Sequence, residues 1–284
     1  MGNKLYLECG CGISGDMFVA AMLDLGADKS RLEEALKSLP VTGFETKISR
    51  VKKSGLDACD FDVILDKEHE NHDHDMEYLH GHHHDGHSHG EDKHHEGGCH
   101  REEDHIHGEH HHHHEHRSPA DILHIIDNAS MTDSAKELAR RIVDILADAE
   151  AKAHGVSLDQ VHFHEVGAVD SIIDIIAAAV CADSLNLEEV YVPQLNEGSG
   201  MVRCQHGLLP IPVPAVANIV SGNHLKLHIT DVEGELVTPT GAAIAAALCT
   251  SKQLPEQFTI EKIGMGAGKR EYACVGVLRA MMIS

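Results

Sequence analysis

Lys4-Leu5-Tyr6-Leu7-Glu8-Cys9-Gly10-Cys11-Gly12-Ile13-Ser14-Gly15-Asp16-Met17-Phe18-Val19-Ala20-Ala21-Met22-Leu23-Asp24-Leu25 is the stretch that sets the fold class. Residues 4–8 read as a short strand, Gly10, Gly12 and Gly15 as a turn, and residues 16–25 as a helix with Met17, Ala20, Ala21 and Leu23 or Leu25 on one side. A strand running through a glycine turn into a helix announces alternating elements.

The alternation continues in both halves of the chain. A second helix spans 30–39 and is closed by Pro40 and Gly43. Strands at 44–51 and 56–65 follow, joined by the hairpin turn Lys52-Lys53-Ser54-Gly55. Further on, Ser118-Pro119-Ala120-Asp121 opens a helix to about residue 128. A long amphipathic helix then covers 132–154 and stops at Gly155. The remainder reads as a helix at 166–184, a strand near 189–193, a Gly-rich strand pair around 198–204, a helix at 213–221, an Ala-rich helix from 238 to 249, and two β runs at 258–265 and 275–282. The fold class is α/β or mixed α+β, with alternating strands and helices and a disordered His-rich insert; the sheet order is undetermined.

The insert is the one sharp break in composition. Residues 66–117 hold 20 of the 27 histidines, 15 acidic residues and almost nothing that fills a core. The chain thus divides into an N-terminal α/β segment (1–65), the insert (66–117) and a segment that completes the core (118–284). With no apolar period, the insert is expected to be disordered without metal. Its imidazoles, among them His82, His83, His84, His87, His89, His110, His111, His112, His113 and His114, are neutral borderline donors that suit nickel, zinc and copper, and the interleaved carboxylates attract a dication. An expression tag would be terminal and uniform, whereas this segment is internal and irregular. Composition does not choose the metal.

Net charge narrows the partners. The formal value of −23 over 284 residues repels nucleic acid and anionic lipid, so a phosphorylated ligand must use a local site. The N-terminus lacks the apolar core of a secretory signal, and residues 172–182 are too few to cross a bilayer, which takes ~20 apolar residues. A cytoplasmic protein is expected, with its eight scattered cysteines mostly reduced.

The densest chemistry lies in His162-Phe163-His164-Glu165-Val166-Gly167-Ala168-Val169-Asp170-Ser171-Ile172-Ile173-Asp174. If 161–164 is extended, His162 and His164 share a face; Asp170 and Asp174, four apart, share a face of the following helix. With Glu165 between them, these groups fit one dication, or a metal and a phosphate. The alternative is that Glu165 and Asp170 favour a helix N-terminus while the histidines bond within a core. Asp174 argues against it, because an unpartnered carboxylate among Ile172, Ile173, Ile175 and Ile176 is costly to bury.

Other stretches are weaker. The turn at 10–17 presents backbone N–H groups, with Ser14 and Asp16, to a ligand. Cys9 and Cys11 fit a soft metal or, more commonly, a core. Glu235-Leu236-Val237-Thr238-Pro239-Thr240-Gly241 suits a phosphate through Thr238 and Thr240, or is an ordinary cap. Gly264-Met265-Gly266-Ala267-Gly268-Lys269-Arg270 lacks the helix that a phosphate loop needs, though it suits a tight ligand-facing turn.

Taken in order and spacing, residues 12–17, 162–170, His206-Gly207 with Pro210 to Pro214, 235–241 and 264–268 resemble the LarC nickel-insertion family over nearly the whole chain outside the insert. The resemblance implies nickel insertion into a pyridinium bisthiocarboxylate mononucleotide, forming nickel–carbon and nickel–sulfur bonds. It also implies CTP hydrolysis with Mn or Mg, and delivery of the product to lactate racemase apoprotein. Family members continue beyond the block at Leu278 and Arg279, in a C-terminal part associated with CTP. The expectation is therefore that this chain supplies the nickel-binding N-terminal part. The rival readings are a nickel storage protein or metallochaperone, and a zinc-dependent hydrolase. Homo-oligomerisation is left open.

Overall fold

Strand β1 (Asn3–Glu8) buries Leu5 and Leu7 and turns its alternate residues outward, the period-two pattern of a strand covered on one face. In the computed structural model, which describes residues 2–66, 117–161, 163, 168–204 and 206–284, β1 leads through the glycine turn into α1 (Gly15–Leu25). Helix α2 (Lys29–Lys37) follows, capped by Asp28, whose carboxylate accepts from Ser30 N–H and Arg31 N–H. Strands β2 (Phe44–Lys53) and β3 (Leu56–Leu65) form the expected hairpin, with Ser54 and Gly55 both at positive φ, the backbone of a two-residue hairpin turn.

Beyond the insert, α3 (Pro119–Asn128) starts in a capping box between Ser118 and Asp121. Helix α4 (Asp133–His154) is capped by Thr132 and ends on Gly155 in the left-handed region. Helix α5 (Val169–Ser184) starts later than the sequence reading, because Ala168 is extended and serves as N-cap. Ile172, Ile173, Ile175 and Ile176 have no exposed surface, and each such side chain contributes about 1.5–3 kcal/mol through burial. Helix α5 is the centre of the helical layer, packed by α1, α2 and α4.

Strand β4 (Leu187–Tyr191) then runs parallel to β1. The expected strand pair around 198–204 is not one. Strands β5 (Leu195–Ser199) and β6 (Met201–Cys204) are adjacent in sequence, but Gly200 at positive φ redirects the chain between them. Strand β6 pairs with β7 (Gly207–Pro210), while β5 pairs in parallel with β8 (Leu227–Glu233), on the far side of α6 (Pro214–Gly222). Helix α7 (Pro239–Leu248) and strands β9 (Ile260–Ala267) and β10 (Val277–Ile283) complete the chain.

The main sheet has the order β2-β3-β9-β10-β1-β4. It is mixed: β1 is antiparallel to β10 and parallel to β4. Helix α1 lies across β9 at backbone distance. A Cβ on Gly266 would meet Met17 O at 2.0 Å, and one on Gly264 would meet Ala21 O at 2.3 Å, so only glycine permits this approach. The α/β class expected from the sequence is the observed one. No helix among the described residues is long and apolar enough to cross a membrane.

Candidate functional site

Two segments singled out in the sequence, more than 200 residues apart, lie side by side. Ile13 N–H donates to Leu236 O (3.0 Å) and Thr238 N–H donates to Ile13 O (3.1 Å). Gly241 is pressed so closely on Ile13 that a Cβ there would meet its carbonyl oxygen at 2.2 Å. The N-termini of α1 and α7 therefore begin at one place. Ser14 occupies the N-cap position of the first helix without a side-chain capping bond, and Thr238 caps the second by accepting from Gly241 N–H (3.1 Å). Helix N-termini carry unpaired N–H groups and positive dipole ends, so this corner favours negative charge.

It holds a good deal of it. Asp16 Oδ1 accepts from the Ser14 hydroxyl and from Met17 N–H (2.8 Å); the Ser14 proton is thus directed to Asp16. Asp16 Oδ2 and Asp174 Oδ1 are buried without a hydrogen-bond partner. Gly15 rests on Asp174, where a Cβ would meet Oδ2 at 2.4 Å. Burial, then the charges of Asp16 and Asp170, hold the Asp174 carboxyl well above the usual carboxylate range, with Lys269 and the Asp16 N–H opposing. Lys269 Nζ is engaged by Asp60 (2.5 Å) and Asp62 (3.2 Å). Buried carboxylate oxygens without partners are costly in a finished fold, and a bound cation is one of the things that relieves them.

These carboxylates form one wall of a cavity of about 270 Å³ that also reaches Thr238, Thr240 and the Arg270–Glu235 pair. The pair is joined at 2.5 Å with both side chains largely buried. The lining also includes Glu150 and His154 at the end of α4, and Cys204 and His206 beside β6 and β7. Glu150 and His154 lie one helical turn apart, with Oε2 to Nε2 at 3.4 Å, and burial pushes the Glu150 carboxyl up to about 7. The His206 ring centroid is 5.0 Å from that of His154, tilted by 49°. Burial, then the neighbouring His154, lowers the His206 pKa. His206 N–H donates to Cys204 Sγ (3.4 Å), and His206 Nδ1 lies 3.9 Å from the same sulfur.

A smaller chamber of about 60 Å³ adjoins, sharing Ser14, Asp16, Glu235, Thr238 and Arg270 and adding Cys11, Lys269 and Tyr272. Hydrogen bonding from Cys274, then from the N–H groups of Gly276, Val275 and Val277, outweighs burial and lowers the Cys11 thiol to about 5. Cys9 is buried and its thiol is pushed up to about 12, which places it in the core rather than among metal donors.

Of the residues singled out by sequence, Ser14, Asp16, Asp170, Asp174, Thr238 and Thr240 come together around the cavity. His162, His164 and Glu165, like the insert histidines His82, His83, His84, His87, His89 and His110 to His114, lie outside the described residues. Among the described residues no three His, Cys, Asp or Glu side chains converge on one point as placed. Glu150, His154 and Cys204 were not singled out. The available signal was the i, i+4 pairing of Glu150 and His154, which reads equally well as an ordinary helix end.

Comparison with known proteins agrees with the sequence resemblance. A family model described as "Nickel insertion protein" matches residues 5–284. A protein of Alkaliphilus metalliredigens named pyridinium-3,5-bisthiocarboxylic acid mononucleotide nickel insertion protein is 52% identical over 283 residues, covering 100% of this chain and 61% of the relative. Proteins of the same name from Clostridium acetobutylicum and Acetivibrio thermocellus are 42% and 36% identical, each over 98% of this chain and over 63% and 60% of their own lengths. The chain thus spans about three fifths of the relatives it matches. No solved structure matches it.

Proposed function

Because the chain belongs to the nickel insertion protein family, we propose that it forms the part of such a protein that binds nickel and presents it to the pyridinium-3,5-bisthiocarboxylic acid mononucleotide. The observation that carries this reading is that Asp16, Asp170 and Asp174 line one cavity together with the N-termini of α1 and α7. The carboxylates supply the negative charge a dication requires. The start of α7, with Thr238 and Thr240, supplies N–H and hydroxyl groups for the single phosphate of a mononucleotide.

A nickel–carbon bond at the ring carbon between the two thiocarboxylates replaces a carbon–hydrogen bond, so one proton must leave. A carboxylate beside the metal is a suitable acceptor. The insert histidines collect nickel and raise its local concentration. In this proposal CTP hydrolysis with Mn or Mg falls to a C-terminal part beyond this chain, and lactate racemase apoprotein is the downstream acceptor. The density of histidine in 66–117 also favours a second reading, nickel storage or metallochaperone activity without a reaction.

The experiment that separates them supplies the chain with nickel, the purified organic precursor and CTP, with and without a separately produced C-terminal part, and follows insertion by absorbance and mass. Insertion that depends on the C-terminal part, and that falls about 100-fold or more in Asp174→Asn, supports the proposal. Several nickel ions per chain with no precursor binding under either condition overturns it in favour of storage.

A further inference from the structure

We propose that Cys204 and His206, with His154 beside them, form a soft-donor nickel site in the cavity that the carboxylates also line, where the ion is held with open positions for the two sulfur atoms of the incoming substrate. The proposal rests on the nickel-insertion reading above and assigns the cargo ion a place within it.

The geometry suits a single ion. A first-row dication sits about 2.3 Å from a thiolate sulfur and about 2.0 Å from an imidazole nitrogen. The 3.9 Å between Cys204 Sγ and His206 Nδ1 is therefore bridged by one ion at an obtuse angle without moving the backbone. The His206 N–H, aimed at Cys204 Sγ (3.4 Å), stabilises the thiolate form that metals bind. Two imidazoles bound to one ion place their ring centroids about 4.5–5 Å apart, and those of His154 and His206 are 5.0 Å apart. Glu150, at 3.4 Å from His154 Nε2, supplies the carboxylate that commonly orients a ligating imidazole.

The pair Cys204 and His206, with His154 near it, is fewer than the four tight ligands of a permanent site. Four tight protein ligands would make a closed structural site, whereas an ion destined for another ligand set must keep positions free. The substrate brings sulfur donors, and sulfur and imidazole suit nickel better than carboxylate does. In this arrangement the carboxylates attract the dication and take up the proton, and the Cys204–His206 pair holds the metal. The site lies between the end of β6 and the start of β7, where His206 is accessible.

The test is a nickel titration of the full chain read by thiolate-to-nickel charge-transfer absorption in the near ultraviolet, to which histidine and carboxylate sites contribute nothing. The band is expected in the parent protein and in Cys99→Ser, which removes the insert cysteine. It should vanish in Cys204→Ser, and its titration midpoint should rise about 10- to 100-fold in His206→Ala, with circular dichroism unchanged in both. A band unaltered in Cys204→Ser, or one lost only in Cys11→Ser, overturns the proposal. Binding of the mononucleotide without nickel is measured separately. Loss of the band in Cys204→Ser with no mononucleotide bound leaves the nickel site standing and removes the insertion reading. Mononucleotide binding without a Cys204-dependent band does the reverse.

Discussion

Asp174 stands in the middle of a helix whose neighbouring isoleucines are fully buried, with one carboxylate oxygen unpartnered and two other carboxylates close by. Folding gains nothing from that placement. Asp174→Asn is therefore expected to stabilise the metal-free protein by roughly 1–3 kcal/mol, visible as a higher melting temperature, while nickel is drawn to the cavity less strongly; a lower melting temperature would show the carboxylate to be structural. Glu197 makes a separate prediction. It is fully buried; Oε1 accepts from the N–H groups of Gly198 (2.8 Å), Leu236 (2.8 Å) and Val237 (3.1 Å), and Oε2 has no partner. Burial outweighs those bonds and pushes its carboxyl from 4.5 up to about 7. A raised folded-state pKa means that the native state holds the proton more tightly than the unfolded chain. The resulting stability is complete below pH ~4.5 and is lost by pH ~7, an effect of order 3 kcal/mol. Urea midpoints measured across that range should fall with rising pH in the parent and fall less in Glu197→Gln. Asp174 was legible in the sequence because its apolar neighbours made it conspicuous. Its partner Asp16 was read as a ligand-facing residue of the glycine turn but not as a neighbour of Asp174, since the contact spans more than 150 residues and no local pattern records it. Glu197 was not singled out at all: a single acid in a Gly-rich stretch gives no sign that its oxygens face inward.

At the scale of elements, what was legible is what is local. The first strand, turn and helix, the 44–65 hairpin, and the caps at Ser118, Thr132 and Thr238 follow from a few consecutive residues. The pairing of β5 with β8 was not legible, because a parallel partner separated by a helix leaves no turn signature between them. The approach of α1 to β9 was equally hidden, although its trace lies in Gly264 and Gly266. Gly266→Ala places a methyl group against Met17 O at 2.0 Å, so either the helix or the strand must move. A loss of roughly 2–4 kcal/mol is expected, measured by chemical denaturation. Gly55→Ala in the exposed hairpin turn, with nothing within 4 Å of its Cβ but a φ of 85°, should cost only about 1 kcal/mol. If the two variants lose equal stability, close packing of α1 on β9 is not what fixes that glycine.

For the whole molecule, the described core closes without residues 67–116. Asp66 N–H donates to Gly43 O at 2.9 Å on one side, and the capping box at Ser118 starts α3 on the other. Replacing 67–116 with a short Gly-Ser linker is expected to lower the number of nickel ions bound per chain, read by elemental analysis, while leaving the melting temperature of the remainder within a few degrees. Unfolding of the deletion variant would contradict the three-part division of the chain. A further consequence follows from the sheet order. Strand β1 has β10 as one neighbour and β4 as the other, and β10 ends at Ile283. During synthesis the first strand therefore gains its β10 neighbour only at the end of this stretch, and Lys269 and Arg270 reach the cavity region only after β9 has been made. Pairing between such distant segments forms late. A nascent chain consequently carries its histidine-rich stretch well before it owns a finished cavity, so metal gathered early has no enclosed place to go until translation has passed Ile283.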